Sequence, residues 1–338
     1  MLWLLGPALW CPNNGALWSK GVVDPAQAEF DSVQTPHRSQ ICAAIVTYNI
    51  GDALHRCVDA IRNQVGHVLI VDNGSDEPTR RELNRLKASN SISVILNKRN
   101  EGIARAFNQA IHWARGRGFQ WILTLDHDSE ATPSMVDELV RGYEALGRAG
   151  MRNVGVVGAN PFDVNLQQYL LHGPCNRVKT PFEDQMEVIS SGSLIPLPIF
   201  DKVGLFNEDL FIYYVDTEFC MRLSRQGFHI YLCPDAVLLH REGSKKRHRI
   251  LWWNTRYDHY GKTARYYLSR NLIYMIRSRI LPPGYIHGLL RSNWKDHFKI
   301  LLFDEDKFAS LWFSLRGLVD GLKGKVGPLD SEGEGQPS

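Results

Sequence analysis

The 338-residue sequence lacks the features that define several broad classes of protein. It contains no run of the roughly 18 to 20 consecutive apolar residues that a bilayer-spanning helix requires, which argues against an integral membrane protein. Its first ten residues, MLWLLGPALW, carry no basic residue and are interrupted by Gly6-Pro7, so they make a poor signal peptide. The net charge of +3 gives no general electrostatic attraction to nucleic acid.

Paired cysteines and glycine fingerprints are missing as well. The six cysteines are scattered without the spacing of metal ligands, and this usage favours a reducing compartment. No Gly-x-Gly-x-x-Gly follows the first predicted strand, and no Gly-x-x-x-x-Gly-Lys-Ser/Thr loop occurs. Neither a dinucleotide-binding fold nor a phosphate-loop NTPase is therefore supported.

What the sequence does have is a regular alternation of short apolar runs with amphipathic segments over its first half. The apolar runs predict buried strands, and apolar residues on a helical spacing predict helices between them. The predicted strands are 41–47, 67–71, 91–96 and 119–125, and the predicted helices are 52–64, one that Pro78 opens, 103–115 and one from 135 to about 146. These alternations predict an α/β fold with a parallel sheet and right-handed crossovers.

Further elements follow with less regular spacing. Strands are predicted at 153–159, 187–195, 228–233 and 236–240, and a helix at 215–226 ends at Gly227. Ser191-Gly192-Ser193 interrupts the second of these strands, which indicates either a close approach of a ligand to the backbone or a simple bulge.

Polar residues stand at the carboxyl end of every strand in the first half. They are Thr47, Tyr48 and Asn49, then Asp72 and Asn73, then Asn100, and finally Asp126 and Asp128. In an open parallel sheet the ligand crevice lies just beyond these ends, so the coincidence indicates a nucleotide-type crevice. The alternative is that these residues only form turns, since Asn-Gly and Asp are common turn residues.

The stretch WILTLDHDS, residues 121–129, carries the two acids of most chemical interest. Alternate residues of an extended chain point the same way, so Asp126 and Asp128 can converge on one hard cation or on a ribose. A divalent cation held beside a diphosphate would neutralise charge that develops on a leaving phosphate. The simpler interpretation is a solvated strand-to-helix turn, and the other strand ends lead us to favour function.

Two residues far along the sequence fit the same chemistry. Asp216 follows the aromatic run 211–214 in the first turn of a helix, where a shielded carboxylate can act as a general base, although acids favour the start of any helix. His240 ends an apolar run and offers an imidazole to the same cation, although a lone histidine is more often structural. The basic run 245–249 is either a solvated loop or closes over a diphosphate or acidic head groups.

The last third of the chain is predicted to be helical and amphipathic. Residues 286–322 mix Trp, Phe and Leu with Lys and Arg. Packing between helices is the usual reason for such a composition, and binding at a membrane interface is the second interpretation.

Together, these stretches resemble the inverting nucleotide-sugar glycosyltransferases of family 2, which have the GT-A fold. The resemblance covers residues 41–271, and its motifs occur in the family's order and spacing. They are Val46–Asn49, Val71–Ser75, Asn100–Asn108, Leu125–Ser129, Ser191-Gly192, Tyr214–Glu218 and His240–Gly243. The implied fold is a Rossmann-like, mostly parallel sheet flanked by helices, with a helical C-terminal extension.

Within that family the chain looks most like bacterial rhamnosyltransferases. Their metal motif usually reads Leu-Asp-Gln-Asp-Ser, and here His127 replaces the glutamine while both acids remain. Tyr214–Glu218 and Tyr267–Asn271 also resemble that subgroup. The implied donor is dTDP-rhamnose, and the alternative is another hexose from a UDP or dTDP sugar.

The resemblance also implies roles for individual residues. A nucleotide pocket would be lined by Thr47, Tyr48, Asn49, Asp72, Asn73, Asn100, Gly102 and Asp126. Mg²⁺ or Mn²⁺ would be held by Asp126 and Asp128, with His240 as a further ligand. Asp216 would be the general base that deprotonates the acceptor hydroxyl for direct displacement with inversion. The donor sugar and acceptor would lie near Ser191, Gly192 and Glu218.

The expected domain organisation follows from composition at the two ends of the chain and from the resemblance between them. Residues 1–39 form an irregular extension, 40–250 the GT-A glycosyltransferase domain, 251–323 a helical, membrane-associating region, and 324–338 a disordered tail. The expected acceptor is a hydroxyl of a lipid-linked or cell-surface polysaccharide at the cytoplasmic face of the plasma membrane, and no nucleic-acid partner is expected.

Two other functions are weighed against this one. A sugar-nucleotide pyrophosphorylase would use an Asp-x-Asp pair in the same way. Such an enzyme is expected to have a Gly-rich loop with Arg and Lys after the first strand, and Tyr48–Gly51 contains no such loop. A binding scaffold that has lost catalysis is disfavoured, because Asp126, Asp128, Asp216 and His240 occur together.

Overall fold

The computed structural model describes residues 35–170, 182–241, 245–250, 253–258 and 260–329. Most of the predicted extension 1–39 and residues 330–338 of the predicted tail lie outside these ranges. Residues 242–244, which belong to the motif that begins at His240, also lie outside them.

The first half of the chain forms the parallel side of one sheet, as its strand–helix alternation predicts. The strands are β1 Ile41–Thr47, β2 His67–Asp72, β3 Ile92–Leu96 and β4 Trp121–Asp126, and they pair in the order β3-β2-β1-β4. β1 is buried at every position because apolar layers cover both faces of the sheet. The register places Thr47 beside Asp72 and Val46 beside Asp126, so three polar strand ends lie side by side.

The second half extends this sheet with strands of mixed direction. They are β5 Ser129–Ala131, β6 Val154–Asp163, β7 Gln168–Tyr169, β8 Glu183–Gln185, β9 Ser193–Pro196 and β10 His229–His240. β9 lies antiparallel between β4 and β6, β10 runs parallel to β6, and β5 pairs antiparallel with the end of β10. The antiparallel β9 brings the residues just before it to the carboxyl end of β4.

Helices flank the sheet and continue beyond it. Those between the strands are Leu54–Ile61, Glu77–Leu86, Ile103–Arg115, Met135–Arg148, Ile199–Val203 and Val215–Arg225, with single 3₁₀ turns at Arg38–Gln40, Gly51–Ala53 and Glu208–Leu210. An antiparallel pair, β11 Lys245–Ile250 and β12 Trp253–Asp258, precedes the last three helices, Lys262–Arg277, Pro283–Phe303 and Lys307–Lys323. The helical C-terminal extension is thus confirmed, and the strand pair before it was not predicted.

Two predicted strand boundaries differ from the structure for physical reasons. The predicted strand 187–195 shortens to β9, because Gly192 adopts a left-handed φ of +84° and the backbone turns before Ser193. The predicted strands 228–233 and 236–240 form the single strand β10, whose pairing with β6 shifts register between Cys233 and Val237. Pro234 lies in that irregularity, where a missing backbone N–H is tolerated.

The core consists of two apolar layers, one on each face of the sheet. Alternate residues of β1 divide between them, with Cys42, Ala44 and Val46 on one side and Ile41, Ala43 and Ile45 on the other. The first layer contains the rings of Phe107, Phe206 and Phe219, and the second contains Trp121 with the helix Met135–Arg148. A sheet buried on both faces has its ligand-accessible surface at its edges and strand ends.

Small residues let the last helix, Lys307–Lys323, pack closely on Lys262–Arg277. A Cβ atom at Gly317 would lie 2.3 Å from the Tyr266 carbonyl oxygen, and one at Gly321 would lie 2.8 Å from the Arg270 carbonyl oxygen. Neither neighbour is a flexible side chain that could move aside. Among the helices that the structure describes, none has the length and hydropathy that crossing a bilayer demands.

We expect Gly317→Ala to destabilise the fold by about 1–3 kcal/mol, because the new methyl group would force the two helices apart. Gly288→Ala is the matched control, since that glycine lies in the helix Pro283–Phe303 with no atom within 4 Å of an added Cβ. The control should be neutral or stabilising by up to about 1 kcal/mol through helix propensity. Urea denaturation followed by circular dichroism measures both, and equal effects of the two substitutions would contradict this packing.

Candidate active site

Two buried polar residues lie side by side where β1 and β2 end. Thr47 and Asp72 are register partners, and both are fully buried. Within the described part of the chain, Thr47 Oγ1 and Asp72 Oδ1 have no hydrogen-bond partner, whereas Asp72 Oδ2 accepts from the Ser75 backbone N–H at 3.1 Å. Buried polar atoms are nearly always paired in folded proteins, so these two atoms are suited to a polar ligand.

Other polar residues at this edge hold the loops to one another. Asn73 Nδ2 donates to the Gly102 carbonyl at 3.2 Å, and Asn100 Oδ1 accepts from the Gly102 backbone N–H at 2.9 Å. Asn49 Oδ1 accepts from the Asp76 backbone N–H at 2.8 Å. The side chains of Asn49, Asn73 and Asn100 therefore shape the predicted pocket through contacts that the sequence did not reveal.

Tyr48 and Gly102, also predicted in this pocket, have opposite environments. Tyr48 is 37% exposed at the strand end, where its ring is accessible. Gly102 has a φ of +86°, and a Cβ atom there would lie 2.7 Å from the Phe211 carbonyl oxygen. Only glycine suits this position, because it combines a left-handed backbone with close approach of a second chain segment.

A chain of hydrogen bonds connects the end of β4 to the end of β10. The Asp126 backbone N–H donates to Ser191 Oγ at 3.0 Å, and Ser191 Oγ donates to Ser129 Oγ at 2.7 Å. Ser129 Oγ lies 2.9 Å from His240 Nδ1. Because Ser129 and His240 are register partners, the short strand β5 brings the histidine to this point.

Asp128 lies beside this chain. Its Oδ1 atom is buried, stands 3.7 Å from His240 Nδ1, and has no hydrogen-bond partner among the described residues. Burial lowers the pKa of the neighbouring His127, while the Asp128 charge and a hydrogen bond with the Val46 backbone oppose that shift. The residue that replaces the glutamine of the resembled motif therefore adds no full positive charge beside the acid at neutral pH.

The turn Ser190–Gly192 is fixed to β4. Thr124 Oγ1 donates to the Ser190 carbonyl, and the Gly192 backbone N–H donates to the Thr124 carbonyl at 2.7 Å. A Cβ atom at Gly192 would lie 2.9 Å from Ala159 Cβ. The left-handed glycine predicted to mark a close backbone approach therefore approaches a neighbouring strand.

The same turn reaches the acid on the other side of the site. The Ser190 backbone N–H lies 3.4 Å from Asp216 Oδ2, and Asp216 Oδ1 accepts from the Thr217 backbone N–H at 2.9 Å. Asp126 and Asp216, ninety residues apart in sequence, thus contact adjacent residues of one turn.

Burial raises the pKa of Asp216 above its usual range, and the backbone hydrogen bonds from Thr217 and Ser190 oppose the shift. A carboxylate whose protonated form is favoured in this way accepts a proton more readily than an aspartate in water. General-base catalysis near neutral pH requires that property.

Glu187 and Tyr285 lie near Asp216 and were not predicted. Tyr285 Oη donates to Glu187 Oε1 at 2.5 Å. Burial raises the pKa of Glu187, the bond from Tyr285 opposes this, and repulsion by Asp216 adds to it. No local pattern marks either residue, because Glu187 precedes a strand and Tyr285 belongs to the C-terminal helix Pro283–Phe303. Only the fold brings them together.

The segment before Asp216 has a strained backbone. Phe211, Tyr213 and Tyr214 have left-handed φ values of 65°, 63° and 61°, which non-glycine residues rarely adopt. Asn271 Nδ2 lies 2.7–3.0 Å from the carbonyl oxygens of Leu210, Ile212 and Tyr213. The Tyr267–Asn271 motif thus holds the aromatic run that leads to Asp216.

Glu218 lies outside the group formed by Asp216, Glu187 and Tyr285. It is buried, and its two carboxylate oxygens accept from Arg222 at 3.0 and 2.8 Å. Arg222 also donates to the carbonyls of Val203, Gly204 and Leu205. This ion pair fastens the helix Val215–Arg225 to the preceding loop, so the geometry favours a structural role over the predicted contact with sugar.

The donor set near Asp128 is small. Within the described residues, no group of three or more His, Cys, Asp and Glu side chains is placed to hold a metal ion. Asp128 Oδ1, which accepts no hydrogen bond from the described residues, and the nearby His240 fit a hard cation that takes its remaining ligands from phosphate oxygens, since Mg²⁺ sites commonly use one or two carboxylates with substrate phosphates.

Sequence profiles decide the family. The profile of glycosyl transferase family 2 matches residues 42–192, and that of glycosyl transferase family group 2 matches residues 121–319, more than half of the chain. The chain belongs to glycosyltransferase family 2. It is a glycosyltransferase, and the predicted membership is confirmed.

Relatives of this glycosyltransferase include enzymes for two different sugars. The dTDP-rhamnosyl transferase RfbF of Shigella flexneri is 28% identical over 308 residues, 86% of this chain and 97% of the relative. The galactofuranosyltransferase GlfT1 of Mycolicibacterium smegmatis is 26% identical over 302 residues, 83% of this chain and 97% of the relative.

Solved structures share the fold. The mannosyltransferase PcManGT from Pyrobaculum calidifontis, in complex with GDP-Man and Mn²⁺, aligns with a TM-score of 0.50 at 16% identity, over 84% of this chain and 74% of that one. TarS from S. aureus aligns with a TM-score of 0.52 at 14% identity, over 84% of this chain and 48% of that one. The predicted GT-A fold is confirmed.

We expect Arg222→Ala in this glycosyltransferase to cost about 3–5 kcal/mol of stability, because it leaves the buried Glu218 carboxylate without its cation. The double substitution Glu218→Gln, Arg222→Met should recover part of that loss. Thermal unfolding monitored by circular dichroism gives the comparison. A fully stable Arg222→Ala protein that has lost activity would instead indicate a direct role of this pair at the site.

Proposed function

We propose that this glycosyltransferase moves L-rhamnose from dTDP-rhamnose onto a hydroxyl of a glycan acceptor. The observation that carries the proposal is the Ser190–Gly192 turn, which contacts Asp126 on one side and Asp216 on the other. Asp126 and Asp128 can thus bind the nucleotide and cation on one side of the turn, while Asp216 faces the acceptor on the other. The 28% identity to a dTDP-rhamnosyl transferase over nearly its full length supports the choice of donor.

The nucleoside would bind where β1 and β2 end. Thr47 Oγ1 and Asp72 Oδ1 offer buried polar atoms to the base or ribose, and Tyr48 offers an exposed ring for stacking. Asn49, Asn73, Asn100 and Gly102 would fix the loops around it. Asp126, at the next strand end, would take the ribose or share the cation.

The residues that would hold Mg²⁺ or Mn²⁺ are Asp128, Asp126 and His240. The contact between His240 Nδ1 and Ser129 fixes the imidazole ring, which is the support that a ligating histidine usually has. When bound, the cation supplies positive charge against the diphosphate that departs. The atom that most favours this assignment is the buried Asp128 Oδ1, which accepts no hydrogen bond within the described part of the chain.

Asp216 would take the proton of the acceptor hydroxyl as its oxygen attacks the anomeric carbon. The bond from that carbon to the diphosphate oxygen breaks in the same displacement, and the anomeric configuration inverts. Ser191 and Gly192 would lie between the two groups, near the donor sugar. Glu218 would act only by anchoring the helix of the base.

The acceptor would be lipid-linked or part of a cell-surface polysaccharide, and the enzyme would work at the cytoplasmic face of the membrane. An alternative donor is favoured by one finding, the likeness to galactofuranosyltransferases at 26% identity over 97% of their length. Transfer of another hexose from a UDP sugar is therefore the second candidate function.

A donor panel separates these candidates. We expect nucleotide release from dTDP-rhamnose, with less from UDP-galactofuranose and UDP-glucose, and dependence on Mg²⁺ or Mn²⁺. Asp128→Asn should lower the rate by about 10²–10³-fold through lost charge stabilisation, whereas the surface control Asp235→Asn should not. Metal-independent release, unaffected by Asp128→Asn, would contradict the assignment.

Asp216→Asn should lower transfer by about 10²–10⁴-fold while leaving the protein as stable as wild type or more so. Burial raises the pKa of Asp216, so its ionised form costs stability in the native state. The stability that its protonated form contributes is fully present below the ordinary aspartate pKa and is lost as pH rises through the raised value. The Tm advantage of the variant should therefore vanish at low pH and grow towards neutral pH.

The same raised pKa predicts the acid limb of the activity profile. The base must be ionised, so kcat/KM of the wild type should fall with decreasing pH at a pH above the usual aspartate range. The residual activity of Asp216→Asn should lack that limb. An unchanged limb in the variant would assign it to another group, for which Glu187 is the nearest candidate.

A further inference from the structure

Large apolar side chains are exposed on the last two helices, Pro283–Phe303 and Lys307–Lys323. On the first helix they are Leu290, Trp294, Phe298, Leu301 and Leu302, and on the second they are Phe308, Trp312, Leu315, Val319 and Leu322. The most exposed are Phe308 at 89% and Trp294 at 78%. We call this set the apolar helix face.

On both helices the exposed residues recur at intervals of three and four. That spacing places Leu290, Trp294, Phe298 and Leu301 along one side of the first helix. Phe308, Trp312, Leu315, Val319 and Leu322 lie along one side of the second. Each helix therefore presents a continuous apolar stripe, which differs from the scattered single apolar residues that any protein surface carries.

The second helix turns most of its large apolar side chains outward. Its buried residues are mostly small or polar, namely Ser310, Ser314, Gly317, Asp320 and Gly321, with Phe313 as the one large apolar residue among them. A helix of a water-soluble domain ordinarily packs its large apolar side chains inward. Here the small side is packed against Lys262–Arg277, so the large apolar side is available to something outside the described residues.

Charge on these helices favours an anionic, membrane-like surface. Arg291, Lys295, Arg316 and Lys323 accompany the stripes, and Arg291 lies among the exposed residues. Residues 260–329 contain twelve Lys and Arg residues and five Asp and Glu residues. Four of these acids have contacts of their own: Asp306 pairs with Lys262 at 3.0 Å, Asp320 with Lys325 at 3.1 Å and Asp296 with Lys299 at 3.8 Å, and Asp304 accepts from Ser310. The fifth acid, Glu305, is exposed. Aromatic and aliphatic side chains with flanking Lys and Arg are typical of helices that lie in the interface of a bilayer.

The apolar helix face is also connected to the site. The helix that carries Trp294 and Phe298 begins with Tyr285, whose hydroxyl bonds Glu187, and Glu187 interacts electrostatically with Asp216. The face is therefore attached to the side of the site where the acceptor would bind, rather than to the nucleotide side.

We propose that the apolar helix face binds the surface of an anionic lipid bilayer, with both helices lying in the interface and the acceptor side of the site turned towards it. This inference rests on the proposed function, because it takes from it the lipid-linked acceptor, and it adds the surface by which the enzyme reaches that acceptor. It places the lipid contact on side chains between Leu290 and Leu322 and leaves the nucleotide edge away from the membrane.

Flotation with lipid vesicles tests this surface. The full chain should float with vesicles of phosphatidylglycerol and phosphatidylcholine, less with phosphatidylcholine alone, and less as salt is raised, because salt screens the attraction of Lys and Arg to anionic head groups. The double substitution Phe308→Gln, Trp312→Gln should weaken binding by about tenfold or more through lost apolar burial. Met151→Gln is the matched control, since Met151 is 40% exposed outside this face.

Three outcomes would overturn the proposal. One is flotation that the double substitution does not change. Another is absence of flotation with either vesicle. The third is a concentration-dependent dimer in solution that the double substitution dissociates, since a second copy of the chain would then cover the face. Nucleotide release from the donor, measured without vesicles, should be the same in the double variant and wild type, so loss of lipid binding and failure of the proposed transfer are separately visible.

Discussion

The arrangement of the site depends on the amide of Asn271. Its nitrogen contacts the carbonyls of Leu210, Ile212 and Tyr213 in one loop, while the neighbouring Arg270 donates to the carbonyls of Asp209 and Leu210. The segment they hold contains three non-glycine residues with left-handed φ, each of which costs of the order of 1–3 kcal/mol. Asp216 follows directly, so its position is set by side chains from a helix that lies after the whole sheet. The Phe211 ring stacks on Tyr267 at 5.0 Å, which adds a third contact between the same two segments.

A second constraint is the turn before β9. It is fastened to β4 through Thr124, carries the Ser191 hydroxyl towards Asp126 and Ser129, and offers its Ser190 N–H to Asp216. The two proposed chemical tasks therefore share one turn, which hydrogen bonds attach both to β4 and to the start of the helix that carries Asp216. Gly192 makes this possible, because its left-handed backbone lets the chain leave the turn directly into an antiparallel strand.

The part of the fold that the sequence predicts well is the part governed by local pattern. Four apolar runs ending in polar residues are enough to predict β1 to β4, their parallel direction and the polar edge at their ends. The antiparallel β9, the strand pair after His240 and the pairing of Glu187 with Tyr285 depend on contacts between distant segments, and no periodicity encodes them. Glu218 shows the reverse case: its motif position suggested contact with sugar, and only the structure reveals the Arg222 that occupies both carboxylate oxygens. The roles assigned to Asp126, Asp128, Asp216 and His240 stay predictions, supported by their placement around one turn.

The outward-turned pattern of the last helix has a consequence for how its sequence can vary. In most helices the large apolar positions resist change and the small surface positions drift freely. In this helix the folded chain depends instead on the small size of Gly317 and Gly321, which lie against the backbone of a neighbouring helix. Trp312 and Phe308 contribute little to the interior of the described chain. Selection for an aromatic residue at these positions would therefore act through binding to another molecule. In this helix, large side chains mark the surface that would contact another molecule, and small side chains mark the surface packed inside the protein.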